Sequence, residues 1–306
     1  MSILKDNINS GPKELRKIIR NGYVVAPGVF SGISALLAQR AGFRALYLSG
    51  SGIAGSMGLP DLSLTTLDEV AAETRKITSV SRLPLIVDID TGFGETLNVM
   101  RTIRVMEAAG AAAIHMEDQD LPKKCGHLSG KKIIPVDAMV QKVKVAAGSR
   151  KDKDFIIIAR TDSRAIEGLD GAIERGRLYL KAGADVIFPE ALESEDEFNE
   201  YAKKVRAPLL ANMTEFGKSP LLSSEDLARL GYKIIIFPLT GFRAALSSMD
   251  TIYNELRQSG TQRKVLQRLM TRDEFYKVIG YNDYADEDAL LSKSKMSGKT
   301  GKRRSG

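Results

Sequence analysis

The stretch "LPKKCGHLSGKK" (residues 121–132) holds the only cysteine of the chain, Cys125, and one of its two histidines, His127. A cysteine kept for packing belongs in an apolar core, whereas this one lies among lysines and glycines. Lys123, Lys124 and His127 around a thiol favour its thiolate, the setting of a reactive cysteine. The competing reading is a surface thiol beside a solvated charge run. Asp88 and Asp90 form a second group. Residues two apart in a strand face the same way, and two inward carboxylates repel unless a cation lies between them. A divalent ion answers that need, and Glu117 adds a third acid to an oxygen-rich, partly hydrated site of the kind Mg²⁺ prefers. The alternative is a pair of solvated rim carboxylates, or partners for Arg160. Arg160 and Arg243 carry guanidinium forks suited to carboxylates. The "SGSG" turn, with Ser49, Gly50 and Ser51, exposes backbone N–H groups that can nest an anion. Each arginine alone reads as a surface ion-pair partner; together these groups describe a pocket for a small polycarboxylate lying on a metal.

Such residues converge only if distant segments meet. Short apolar runs occur at 23–27, 45–49, 84–90, 112–118, 155–161, 185–190, 208–213 and 233–238. Between them lie segments of helical period such as "ETLNVMRTIRVMEAAG", several ending in glycine as a helix C-terminus favours. Strands alternating with helices pair in parallel, and near-continuous apolar runs are buried on both faces. Eight such units predict an α/β fold, a (β/α)₈ TIM barrel with additional C-terminal helices. A doubly wound sheet, the rival, has fewer strands and wants a glycine fingerprint after the first, where this chain has only "APGVF". The expected organisation is an N-terminal helical segment at 1–22, a catalytic barrel at 23–258, a helical extension at 259–291 and a basic, disordered tail at 292–306. Barrel chemistry comes from the C-terminal strand ends and the loops after them. There the sequence puts Tyr47, Ser49, Gly50, Ser51, Asp88, Asp90, Glu117, Asp118, Arg160, Asp162, Glu190, Asn212 and Thr214, with Cys125 and His127 following the fourth strand.

At 43% hydrophobic and 27% charged residues over 306 positions, the composition is that of an ordinary soluble protein. Six of the seven excess positive charges are Lys293, Lys295, Lys299, Lys302, Arg303 and Arg304 of the tail. No aromatic residues interleave them as stacking platforms, so a solvated tail is expected rather than a nucleic-acid arm. One cysteine makes no intramolecular disulfide, which points to a reduced cytoplasm. No apolar run approaches the roughly 18 residues of a membrane-spanning helix.

The chain resembles the 2-methylisocitrate lyases of the isocitrate lyase and phosphoenolpyruvate mutase superfamily over residues 10–290. "YLSGSGIAGSMGLPD", "VDIDTGFGE", "HMEDQDLPKKCGH", "IARTD", "GADVIFPEA", "LANMTEFG" and "TRDEFY" correspond in order and spacing. "KKCGH" is the most specific of these, because members that act on phosphonates or decarboxylate oxaloacetate lack that cysteine. The resemblance implies a homotetrameric barrel with a helix exchanged between subunits. It also implies Mg²⁺-dependent cleavage of 2-methylisocitrate to pyruvate and succinate, with Mn²⁺ as a substitute metal. Asp88, Asp90 and Glu117 match the metal positions. Ser49, Gly50, Ser51, Asp61, Gly126, Arg160, Glu190, Asn212, Thr214, Arg243 and Arg272 match substrate contacts, and His127 supports the Cys125 loop. In this chemistry Cys125 is the general acid that protonates the succinate carbon, and Tyr47 is the candidate base for the hydroxyl. Isocitrate differs by one methyl, worth only about 1–3 kcal/mol of discrimination, so isocitrate lyase activity stays open. An oxaloacetate decarboxylase type and a non-catalytic binding protein using the tail are the more distant alternatives.

Overall fold

The eight apolar runs become eight parallel strands, β1 (Val24–Val29), β2 (Leu46–Leu48), β3 (Leu85–Asp88), β4 (Ala113–Glu117), β5 (Ile156–Thr161), β6 (Val186–Pro189), β7 (Leu209–Asn212) and β8 (Tyr232–Phe237). They close in sequence order into a barrel, with β8 paired to β1. The computed structural model describes residues 11–128 and 130–297.

Alternation along each strand divides the core in two. Leu46, Leu48, Val87, Ile114, Met116, Ile157 and Ala159 point outward into the layer shared with the helices. Tyr47, Ile86, Ala113, Ile156, Ile158, Phe188, Leu210 and Ile236 fill the barrel interior. Fully burying one such apolar side chain is worth about 1.5–3 kcal/mol, so register is held firmly. The inward parity continues past the apolar layer: Ile86 leads to Asp88, Ala113 to His115 and Glu117, Ile158 to Arg160 and Asp162, and Phe188 to Glu190. The polar ends of the strands are the upper layers of the same interior stack.

The first helix, α1 (Gly11–Asn21), closes the other end. Its Leu15, Ile18 and Ile19 join the inner cluster, and Arg16 bonds the Asp154 carbonyl at 2.8 Å and Asp185 at 2.9 Å, just before β5 and β6. The outer helices of the barrel are α2 (Gly32–Arg40), α3 (Gly50–Ser56), α4 (Leu67–Thr78), α5 (Thr96–Ala108), α6 (Val136–Ser149), α7 (Arg164–Lys181), α8 (Glu195–Lys204) and α9 (Ser224–Arg229). At the β1–β8 seam the backbones pass so closely that a Cβ on Gly28 would lie 1.8 Å from the Pro238 carbonyl oxygen, and only glycine fits.

A barrel unit spans Asn9–Ser247, and a helical unit takes in the chain from Ser248 onward. Helix α10 (Thr240–Ser259) runs across residues 247 and 248. In the helical unit, α11 (Arg272–Ile279) opens on a Thr271–Glu274 capping box and stops at Gly280, whose φ is 67°. Helix α12 (Tyr281–Ser297) runs through 292–297, the start of the expected tail. The rest of the tail, and residues 1–10 of the N-terminal segment, lie outside the described residues. Among those described, no helix is long and apolar enough to cross a membrane.

Candidate active site

A cleft of about 330 Å³ at the C-terminal strand ends is lined by Tyr47, Ser49, Ser51, Asp61, Asp88, Cys125, Gly126, His127, Arg160, Glu190, Asn212, Thr214 and Arg243, all expected from the sequence. A larger cavity of about 450 Å³ on the far side of Asp90 shares only that residue with the expected set. Gly50, Asp90 and Glu117 stand directly behind the lining. Arg272 is exposed at the start of α11, in the helical unit.

Six carboxylates in this region, Asp61, Asp88, Asp90, Glu117, Asp162 and Glu190, meet three buried cations, Lys123, Lys131 and Arg160. Arg160 faces Asp162 at 2.8 Å and both Glu117 and Glu190 at 3.3 Å, and it lies over the Phe188 ring. The expected substrate fork is thus already engaged by carboxylates of its own barrel. Lys123 bridges Asp61 at 2.5 Å and Asp90 at 2.7 Å. Burial works against its charge, but Glu117, Asp90, Asp88 and Asp61 outweigh that and hold its pKa well above the ordinary value.

Asp88 accepts from the Gly50 and Asp90 N–H groups, each at 3.0 Å. Burial would raise its pKa, yet His115, Lys123, Arg160 and the Gly50 bond bring it down to about 2. Glu117 behaves oppositely: burial drives it well above the carboxylate range despite Arg160. Glu117 Oε1 is buried without a hydrogen-bond donor, and Asp90 Oδ1 and Glu117 Oε2 each face a single buried cation, Lys123 at 2.7 Å and Arg160 at 3.3 Å. Among the described residues no group of three side chains is preassembled around a metal ion. One unpartnered buried acceptor, and carboxylates that outnumber the cations among them, suit a divalent cation that keeps much of its water and takes one or two carboxylates, the habit of Mg²⁺, and do not suit an all-protein cage.

Cys125 stands exposed at the mouth. Its thiol pKa is raised, by burial against surrounding protein first and by Glu190 and Asp61 beyond that, outweighing the His127 backbone bond and Arg160. The expectation of a favoured thiolate is overturned, because burial outweighs the stabilising neighbours and Lys123 is paired with Asp61 and Asp90. His127 accepts from the Lys218 N–H through Nδ1 at 2.9 Å and sets Nε2 3.0 Å from Glu190. That pairing assigns the proton to Nε2. Asn212 also donates to Glu190 at 3.1 Å. A Cβ on Gly126 would fall 2.4 Å from Glu190 Cγ and 2.6 Å from an Arg160 nitrogen, so the loop rests directly on that ion pair.

Tyr47 Oη lies 2.6 Å from His115 Nε2. Burial, then Asp88, push the phenol well above its ordinary range, and burial lowers His115 to about 4, leaving a neutral imidazole. Tyr47 therefore rests as a phenol, and any role as base needs a partner for its proton. Arg243 donates to the Glu215 carbonyl at 2.8 Å and lies over the Phe216 ring. Phe216 is 96% exposed at the mouth.

The family described as phosphoenolpyruvate phosphomutase matches residues 15–257. A 2-methylisocitrate lyase of Aeropyrum pernix is 55% identical over 91% of this chain and 90% of its own length. The chain belongs to the 2-methylisocitrate lyases. It is thereby a carbon–carbon lyase of the phosphoenolpyruvate mutase and isocitrate lyase superfamily. Among solved structures it is similar to 2,3-dimethylmalate lyase, 35% identical with a TM-score of 0.87 over 92% of this chain and 95% of that one. It is also similar to phosphonopyruvate hydrolase in complex with oxalate and Mg²⁺, 29% identical with a TM-score of 0.83 over 91% and 98%.

The sequence places Asp162 at the end of the fifth strand but gives no role to His115 or Lys131. His115 shares the inward parity of Glu117, a signal present in the sequence. Lys131 carries none, since its burial beside an exposed Lys132 depends on the folded loop.

Proposed function

We propose that this lyase cleaves 2-methylisocitrate to pyruvate and succinate with Mg²⁺ bound, Mn²⁺ substituting. The observation that carries the reading is the polarity of the cleft, a protonated thiol at the mouth facing buried carboxylates that outnumber the cations paired with them. Asp88, Asp90 and Glu117 are the residues that would hold the metal. The chemistry Mg²⁺ supplies when bound is to polarise the α-hydroxy-acid end and offset its charge.

The residues then divide the work. Ser49, Ser51, Asn212, Thr214 and Arg243 bind the carboxylates, with Asp61 holding Lys123 at the same cleft, the Gly50 N–H fixing Asp88 and Gly126 closing the loop over Arg160 and Glu190. Arg272 is the remaining expected substrate contact. Tyr47 takes the substrate hydroxyl proton while its own passes to His115 Nε2, 2.6 Å away, where Asp88 Oδ1 at 3.5 Å favours the imidazolium. The carbon–carbon bond breaks, its hydroxyl-bearing carbon becomes the pyruvate carbonyl, and the electron pair stays on the succinate carbon. Cys125 protonates that carbon; a group that must deliver a proton is served by a raised pKa. Glu190 orients His127 behind the loop.

The exposed Tyr253, Phe275, Tyr281, Tyr284 and Leu290 of the helical unit support assembly as a homotetramer, and the unpaired thiol supports a reducing, cytoplasmic setting. Turnover of 2-methylisocitrate, isocitrate and oxaloacetate, measured side by side with Mg²⁺, tests the function. The highest kcat/KM is expected for 2-methylisocitrate, and preference for oxaloacetate would overturn the reading.

A further inference from the structure

Lys131 and Lys132 are neighbours of identical chemistry, yet Lys132 is exposed and the Lys131 side chain is only 2% exposed. Stripping water from an ammonium is costly unless its partners are well placed. Lys131 Nζ has two. It donates to the Gly126 carbonyl, next to Cys125, and to Asp162 Oδ1 at 2.9 Å. Asp162 in turn holds Arg160 by two hydrogen bonds, at 2.8 and 3.1 Å, and accepts no other side chain's charge in the cluster read as the metal site. Gly126 lies so near Arg160 and Glu190 that even a methyl group would collide.

We propose that Lys131 is a positioning residue for Cys125. Its ammonium ties the carbonyl beside the thiol to the carboxylate that fixes Arg160, so the proton donor and the guanidinium are held in one frame. The other stem of the loop is anchored differently, by Lys123 on Asp61 and Asp90, residues at or beside the metal acids. Lys131 acts on a carboxylate outside that set, which meets the metal acids only through Arg160, 3.3 Å from Glu117. The catalytic half of the proposal rests on Cys125 being the proton donor; the positional half stands on the loop geometry alone.

Cys125 is the only cysteine in the chain, so a thiol reagent such as 5,5′-dithiobis(2-nitrobenzoate) reports on this loop and nothing else. In Lys131→Met the length is kept and the charge removed, and Asp162 retains both Arg160 bonds, so the fold should persist. Freed from its strut, the loop lifts, and Cys125 should label several-fold faster than in wild type. Turnover of 2-methylisocitrate should fall by about 10²-fold, the cost of a misplacement near 1 Å, with KM little changed. Lys131→Arg, which keeps a charged donor, should restore slow labelling. Should Lys131→Met lose its circular dichroism, the arginine variant decides: wild-type labelling supports the strut, fast labelling overturns it. Wild-type labelling in a folded Lys131→Met overturns the proposal whatever its turnover. If the wild type turns over none of the three substrates while Lys131→Met still labels faster, the strut stands and the proposed function falls.

Discussion

Replacing Gly126 with alanine adds one methyl at the tightest point of the site. The new Cβ would stand 2.4 Å from Glu190 Cγ, 2.9 Å from Glu190 Cδ and 2.6 Å from an Arg160 nitrogen, where ordinary contact begins near 3.4 Å. The shortfall is about 1 Å, and neither neighbour can yield it. Glu190 is fixed by His127, Asn212 and the Ala191 N–H, and Arg160 by Asp162 and Glu117. The loop must retreat instead and carry Cys125 with it. Overpacking of this kind costs about 1–3 kcal/mol, and here it is relieved by opening a surface loop, so stability should fall towards the lower end of that range. A 1 Å displacement of the proton donor should lower kcat by about 10²-fold. Steady-state turnover of 2-methylisocitrate and a thermal melt measure the two effects. A Gly126→Ala enzyme with wild-type kcat would show that the loop does not need to sit on the Arg160–Glu190 pair.

Treatment with EDTA should abolish turnover and added Mg²⁺ or Mn²⁺ should restore it; full activity in the chelated protein would remove Asp88, Asp90 and Glu117 from the metal role. Because the folded environment raises the Cys125 pKa, the thiol stays protonated as pH climbs through the ordinary thiol range near 8.5. Its alkylation rate should therefore rise with a midpoint above that value, and a midpoint below 8 would return the site to a thiolate. Removing residues 292–306 should leave lyase turnover unchanged, with no salt-dependent RNA binding in either form; a steep salt slope seen only with the tail present would revive the binding-protein reading.

The barrel was legible because its strands are buried on both faces and stand out as apolar runs, so each expected strand overlaps the observed one. Parity along those strands carried the site as well. Once Tyr47, Asp88 and Arg160 face inward, every second residue does too, which includes His115 and Asp162. What linear order could not supply was the direction of side chains in the loop after β4. Lys123 adjoins the cysteine segment in sequence, yet its ammonium belongs to Asp61 and Asp90, and so the electrostatics of the thiol came out with the opposite sign. Arg160, expected to face a substrate carboxylate, has three internal carboxylates around it as well. Lys131 shows the same limit, because an ammonium is buried only when acids from other strands receive it.

The central claim is that Cys125 delivers the proton that completes succinate. Cys125→Ser keeps the size of the side chain and replaces an acid of raised but accessible pKa with one that holds its proton far more tightly. The variant should fold, retain its metal response and bind substrate, while turnover of 2-methylisocitrate falls by about 10²–10⁴-fold. A serine enzyme turning over at nearly the wild-type rate would contradict the account and leave the loop as a cover without chemistry of its own.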